Sequence, residues 1–283
     1  MGKIVWLASY PKSGNTWLRA FLHNLLRDPQ DGYDINRITD FCANDSAVGW
    51  YAPFIGRAPG NWTEEEVGKA RRKAHEAITK VHPDSAFVKT HNALTFDRFG
   101  PLITMELTAG AIYILRNPLD VAISYSHHLG ETIDWTIRLM NSPGAGTPNT
   151  PTNVFQQLRS WSEHVRSWTA RPHPGLHVIR YEEMLSAPEQ TFWRGCELSG
   201  LAAAARASVA GDRALRLSRI AKARGSARLS GTRAALEALF PRRSRRSVAR
   251  SSHADTGPAH RRSTRPDHAA IRLFSAGWLR ERV

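Results

Sequence analysis

Near its start the chain has an unbroken apolar run, Ile4-Val5-Trp6-Leu7-Ala8, which stops at the turn-rich stretch Tyr10-Pro11-Lys12-Ser13-Gly14-Asn15. A short continuous apolar run bounded by turn residues reads as a strand buried on both faces, the kind found in parallel sheets. Trp17, Leu18, Phe21, Leu22, Leu25 and Leu26 then recur at helical spacing. The unit is strand, loop, helix. Strand-like and helix-like segments go on alternating over the first 200 residues, which predicts an α/β domain whose central, mostly parallel sheet is flanked by helices.

Three further strands are expected. Phe87-Val88-Lys89-Thr90 ends at His91, Ala111-Ile112-Tyr113-Ile114-Leu115 ends at Arg116, and Leu176 to Arg180 ends at Tyr181-Glu182-Glu183. A helix from Leu119 to about His128 follows the third strand, with Pro118 in the first turn, where a missing N–H costs nothing. A long helix is expected over Val154 to Thr169, with Phe155, Leu158, Trp161, Val165 and Trp168 along one face as a packing stripe. Asp28 to Asn61 and Asn141 to Asn153 read as long loops rich in Gly, Pro, Asn and Asp. All four strand ends carry polar groups, on the edge where open α/β sheets bind ligands.

Composition divides the chain. Residues 1–200 hold 20 Lys+Arg and 20 Asp+Glu, whereas residues 201–283 hold 19 and 5, so the entire net charge of +14 falls in the last 83 residues. Ala, Arg and Ser make up 47 of those 83, unlike an ordinary folded core. The expected organisation is a domain over 1–200 and a basic, atypical C-terminal region over 201–283. No apolar run approaches the ~20 residues of a membrane span, and no secretory leader is visible, so a cytoplasmic protein is expected. Cys42 and Cys196 are too few for a disulfide framework or a cysteine metal cage. Clustered arginines favour nonspecific adhesion to phosphates, but no motif for specific nucleic-acid binding is present.

The loop Lys12-Ser13-Gly14-Asn15-Thr16 opens a helix directly after a strand, so its backbone N–H groups and the helix dipole can converge on a phosphate. It lacks the strict G-x-x-x-x-G-K-[ST] pattern, and as a bare tripeptide K-S-G would mark an ordinary turn. Arg116, just past a strand, and Ser124, two turns into the next helix, can reach a second anionic group at the same edge. Taken alone, Arg116 would instead pair with Asp120 at i,i+4. His127 and His128 read as helix-end or pocket-lining residues.

Four blocks taken together carry a resemblance. Tyr10-Pro11-Lys12-Ser13-Gly14-Asn15-Thr16-Trp17-Leu18-Arg19, Val88-Lys89-Thr90-His91, Arg116-Asn117-Pro118-Leu119-Asp120-Val121-Ala122-Ile123-Ser124-Tyr125 and Arg180-Tyr181-Glu182-Glu183-Met184 occur in that order. Over about residues 4–195 the chain resembles the soluble sulfotransferases that use 3′-phosphoadenosine 5′-phosphosulfate (PAPS). The resemblance implies a P-loop-like sulfotransferase fold and sulfuryl transfer to a small hydroxyl or amine acceptor, without a metal. It implies that Lys12, Ser13, Gly14, Asn15 and Thr16 cradle the 5′-phosphosulfate and that Trp17 packs on the adenine. Arg116 and Ser124 would hold the 3′-phosphate, and Tyr181 would line the adenine or ribose. His91 matches the catalytic base and Lys89 a lysine beside the transferring group, while Lys12 offsets charge on the leaving oxygen. The acceptor pocket would come from the two long loops, where Tyr33, Phe41, Trp50, Tyr51 and Phe54 suit either a flat alcohol or a plain hydrophobic lid.

The family's late R-K-G loop and the G-x-W that follows it have no counterpart here. Pro241-Arg242-Arg243-Ser244-Arg245-Arg246 lacks the glycines, and Gly277-Trp278 comes only at the end. With the compositional break, this points to a reading frame shifted relative to a normal family member. Two alternatives to an active sulfotransferase follow. One is a catalytically impaired homologue that still binds the nucleotide; the other is a nucleotide-dependent kinase, which would need a magnesium-binding acidic residue at a strand end.

Overall fold

The computed structural model describes residues 2–27, 41–187 and 191. The expected break between residues 200 and 201, and the basic region beyond it, lie outside the described residues. Strand β1 (Lys3–Ser9) is followed by helix α1 (Asn15–Arg27) and a two-residue strand β2 (Ala43–Asn44). A short helix α2 (Ala52–Ile55) and helix α3 (Glu64–Ile78) lead to β3 (Ser85–Thr90). The small pair β4 (Phe96–Asp97) and β5 (Gly100–Pro101) precedes β6 (Thr108–Leu115), α4 (Pro118–Leu129) and α5 (Ile133–Met140). Then come β7 (Gly146–Thr147), β8 (Gln156–Gln157), α6 (Trp161–Thr169), β9 (Leu176–Arg180) and α7 (Tyr181–Ser186).

The main sheet runs β2-β3-β1-β6-β9 and every pairing in it is parallel. β1 lies at its centre because its side chains are apolar on both faces. Ile4, Trp6 and Ala8 join a core with Val88 and Tyr113, roofed by Val121 and Tyr125 of α4 and by Trp161, Val165 and Trp168 of α6. Val5 and Leu7 join Ile112, Ile114 and Ile179 beneath Leu18 and Leu22 of α1 and Met184 of α7. Helices therefore cover both faces, as expected. The chain leaves β1 toward β3 and leaves β6 toward β9. Connections that diverge in this way open a crevice beyond the carboxyl ends of β1 and β6.

The four expected strands are present, and Pro118 opens α4 after the N-cap Asn117, whose Oδ1 accepts the Leu119 N–H. Trp161 and Trp168 are packing residues, 8% and 3% exposed. The long helix expected over Val154 to Thr169 is corrected: only Trp161–Thr169 is helical. Ser160 and Glu163 form a capping box that starts the helix there, and Arg159 before it holds a left-handed φ of 57°. Val154 and Leu158 are buried from an extended segment, so apolar spacing alone mimicked a helix. The expected loops also hold β2, α2 and β7, and helices α3 and α5 were not anticipated.

Of the loop aromatics, Tyr51 is 1% exposed and its hydroxyl donates to Asp45, which makes it core. Phe41 stacks on Phe87, Trp50 packs against the core, and Phe54 is exposed, while Tyr33 lies outside the described residues. Replacing Ser160 by Ala removes the cap, and an unfolding titration should show a loss of about 1 kcal/mol. No loss would mean the helix does not start at Ser160.

Candidate active site

Parallel register brings the polar strand ends together. Ala8 pairs with Thr90, Ser9 with Ile114, and Ile114 with Ile179. One or two residues further on, His91, the loop after Ser9, Arg116 and Tyr181 stand side by side across β3, β1, β6 and β9. No two of these segments adjoin in the sequence.

The loop from Lys12 to Thr16 is held by the chain around it. Lys12 has φ 65°, a conformation that costs a side-chain-bearing residue of order 1 kcal/mol or more and persists only where its surroundings enforce it. Arg116 enforces it, because its Nη1 donates to the Lys12 carbonyl at 2.8 Å. The Arg116 guanidinium also lies over the Tyr181 ring, 4.4 Å from its centre. Gly14, at φ 103°, closes on the same ring, since a Cβ there would run into Tyr181 Cδ2. Asn15 bonds backward, its Nδ2 donating to Leu7 O at 2.7 Å and to Ser9 Oγ at 3.2 Å. Ser13 Oγ, Asn15 Oδ1 and Arg116 Nε are buried and have no hydrogen-bond partner. Three orphaned polar atoms around one strained loop form a cradle for a polar ligand. Burial and the nearby Arg116 charge lower the Lys12 pKa.

His91 is fixed by the strand beside it. Its Nδ1 lies 2.7 Å from Ser9 O and 3.3 Å from Ser9 Oγ. A carbonyl can only accept, so Nδ1 carries the hydrogen and Nε2 keeps its lone pair. Burial, then the Lys89 charge, hold the imidazole pKa well below its ordinary value, against the Ser9 bond. Two residues earlier Lys89 shares the pleat face of Phe87, toward α1. Burial and the Arg19 charge lower its ammonium pKa to about 8.

The remaining expected residues are placed nearby. The Thr16 hydroxyl accepts from Arg19 Nη2 at 3.5 Å, Trp17 stacks parallel to Phe21 at 5.6 Å, and Ser124 lies half-buried on α4. Arg116 is engaged by the Lys12 carbonyl and Tyr181, rather than by Asp120. His127 and His128 occupy the last turn of α4, as expected, and the His128 ring stacks on Tyr125.

Sequence reading missed the layer behind His91. The buried Asp45 carboxylate accepts from Thr90 Oγ1 at 2.6 Å, Asn92 Nδ2 at 2.9 Å and His75 Nε2 at 3.3 Å. These bonds tie β3 to the segment after β2 and to α3. His164 Nε2 donates to His91 O at 3.0 Å, and Tyr113 OH donates to His164 Nδ1 at 2.8 Å. Asp45 carried no periodic or motif signal, and His164 merely continued the packing face of a helix.

Residues 3–224 match the family model described as "Sulfotransferase domain". The chain belongs to this sulfotransferase family. Among relatives, it is 30% identical to Sulfotransferase 1B1 of Mus musculus over 197 residues, 67% of this chain and 55% of the relative. With Sulfotransferase 2A2 of Mus musculus it shares 27% over 202 residues, 69% of this chain and 58% of the relative. The chain thus spans somewhat over half the length of the curated sulfotransferases it matches. Of solved structures, it is similar to mouse sulfotransferase SULT7A1 complexed with PAP, at 21% identity and TM-score 0.41, covering 73% of this chain and 64% of that one. It is also similar to retinol dehydratase in complex with androsterone and inactive cofactor PAP, at 18% identity and TM-score 0.42, covering 68% and 57%. No helix among the described residues is long and apolar enough to cross a membrane.

Gly14→Ala tests the loop geometry. It combines a left-handed φ with a clash against Tyr181, so it should cost more than about 1 kcal/mol in unfolding. Adding Tyr181→Ala should restore only the steric part, and strict additivity of the two changes would show that they do not touch.

Proposed function

We propose that this protein is a cytoplasmic, PAPS-dependent sulfotransferase that transfers the sulfuryl group to a hydroxyl or amine of a small acceptor, with His91 as the base. The observation that carries this reading is the 2.7 Å bond from His91 to Ser9 O, which leaves Nε2 unprotonated beside the phosphate-type loop. An acceptor hydroxyl must lose its proton as it attacks, and a neutral imidazole at neutral pH is suited to take it. The orphaned Ser13 hydroxyl and Arg116 Nε–H are donors that fit a nucleotide rich in oxyanions.

When bound, the nucleotide supplies the activated sulfuryl group. Lys12 through Thr16 hold its phosphosulfate end, and Trp17 and Tyr181 flank the adenosine. Arg116 and Ser124 bind the 3′-phosphate, which distinguishes this donor from ATP. Charge that builds on the leaving oxygen is offset by Lys12, and Lys89 stabilises the transferring group. The sulfate carries a single negative charge, so these side chains suffice without a metal. Residues 1–200 supply this site, and residues 201–283 form the separate basic region.

Calorimetric titration with 3′-phosphoadenosine 5′-phosphate, and with AMP as control, tests the reading first. Tight binding that depends on the 3′-phosphate is expected; a folded protein that binds neither would overturn it. Binding without turnover on any acceptor would favour the impaired homologue, a reading supported by the missing R-K-G loop. His91→Ala should abolish turnover and leave nucleotide affinity nearly intact. Arg116→Ala should weaken the 3′-phosphorylated nucleotide by roughly 1.5 to 3 kcal/mol and barely affect AMP.

The pH profile follows from the two shifted groups. His91 is already the free base at neutral pH, so kcat/KM should hold steady down to pH values below 6.5. It should decline above about pH 8 as Lys89 loses its charge. An acid limb centred at or above 6.5 would exclude His91, in this environment, as the base.

A further inference from the structure

Strand β3 ends at Thr90, and the backbone that carries His91 leaves the sheet there. Carbonyls beyond a strand end need donors from elsewhere when they are shielded from water. Helix α6 answers that need from one face. His164 Nε2 lies 3.0 Å from His91 O, Trp168 Nε1 donates to Asn92 O at 3.1 Å, and Ser167 Oγ accepts from the Leu94 N–H at 3.0 Å. Residues 164, 167 and 168 stand at i, i+3 and i+4, so they are neighbours on the helix surface.

The His164 contact differs from the other two because it falls on the residue that carries the imidazole. A carbonyl can only accept, so His164 Nε2 carries the hydrogen and Nδ1 keeps its lone pair. Tyr113 OH, 2.8 Å from Nδ1, donates to that lone pair and fixes this tautomer. The His164 side chain is 0% exposed, with the Tyr10 ring edge-on at 5.3 Å and the Tyr113 ring at 5.7 Å. Burial lowers its pKa to about 4, so the ring is neutral at neutral pH. With both nitrogens engaged and no access to solvent, it is a fixed crosslink. Tyr113 lies in β6 three residues before Arg116, so the chain from Tyr113 through His164 to His91 O ties that strand to the segment after β3.

We propose that His164 is a positioning residue for the base: it holds His91 through the His91 carbonyl, and Tyr113 holds His164 in the tautomer that can do so. This rests on the reading of His91 as the base given above. His91 is then pinned at two points, its ring by Ser9 O at 2.7 Å and its backbone by His164. The free Nε2 is left with a defined direction. That matters because a proton is taken only within hydrogen-bond reach, and a misplacement of about 1 Å can cost on the order of a hundredfold in rate.

The test is NMR of the full chain with labelled histidine, which reads the protonation of each ring nitrogen, on wild type, His164→Phe and His164→Gln. Calorimetry with 3′-phosphoadenosine 5′-phosphate accompanies it. In wild type His164 should be protonated at Nε2 and His91 at Nδ1; His164 protonated at Nδ1 would overturn the proposal without any variant. His164→Phe keeps a ring and removes the donor, so His91 should become a mixture of its two tautomers while nucleotide affinity changes by less than about twofold. His164→Gln places an amide N–H near the position of Nε2 and should restore the single tautomer. With para-nitrophenol as acceptor probe, His164→Phe should lower kcat about tenfold or more at nearly unchanged KM for the nucleotide, and His164→Gln should recover most of it. A His91 tautomer unmoved by His164→Phe, or kcat and nucleotide affinity lost together, would overturn the assignment, since a merely structural role predicts the latter. Wild type that binds no nucleotide would instead sink the nucleotide reading, and the His91 tautomer in His164→Phe would still decide the role of His164.

Discussion

Burial of β1 on both faces and both edges is the constraint on which the site depends. The strand is paired with β3 and β6 and covered by α1 below and by α4 and α6 above, so its last residue, Ser9, has almost no freedom. Everything that follows Ser9 inherits that position. The loop can hold Lys12 in a left-handed conformation because Arg116 and Tyr181, rooted in β6 and β9, press on it from the neighbouring strand ends. Ser9 itself fixes the His91 ring through its carbonyl. A turn on a less constrained strand would relax the strain and lose the cradle.

Electrostatics at the edge is unbalanced by construction. Lys12 is held by Arg116 at the end of β6, and Lys89 lies near the end of β3. The buried Asp45 is occupied in holding β3 to its neighbours. Burial depresses both lysines and the histidine, so the site has a free base flanked by cations that only an anion can satisfy. Such a pattern favours the binding of an anion.

Much of this was legible in the sequence because the relevant signals were local. An apolar run of five residues can only be a buried strand when turn residues bound it, and Gly14 and Pro118 mark a loop and a helix start by their own backbone preferences. The helix over Val154 to Thr169 was misread because periodicity counts apolar residues and is blind to Arg159 and the Ser160 cap, which set where a helix can begin. Tyr51 looked like a possible lid residue, yet a single hydroxyl bond to Asp45 makes it core. Such pairings join residues distant in the chain and leave no pattern along it.

The sequence by itself determined the α/β class, the four strands, the loop between β1 and α1 and the polar residues at each strand end, because strand burial and turn chemistry are written in adjacent residues. Only the tertiary structure decided which nitrogen of His91 is free and that Gly14 and Arg116 both close on the Tyr181 ring. Those facts depend on parallel register and on packing across the sheet. Register sets distances between segments that are tens of residues apart, and no local propensity encodes them.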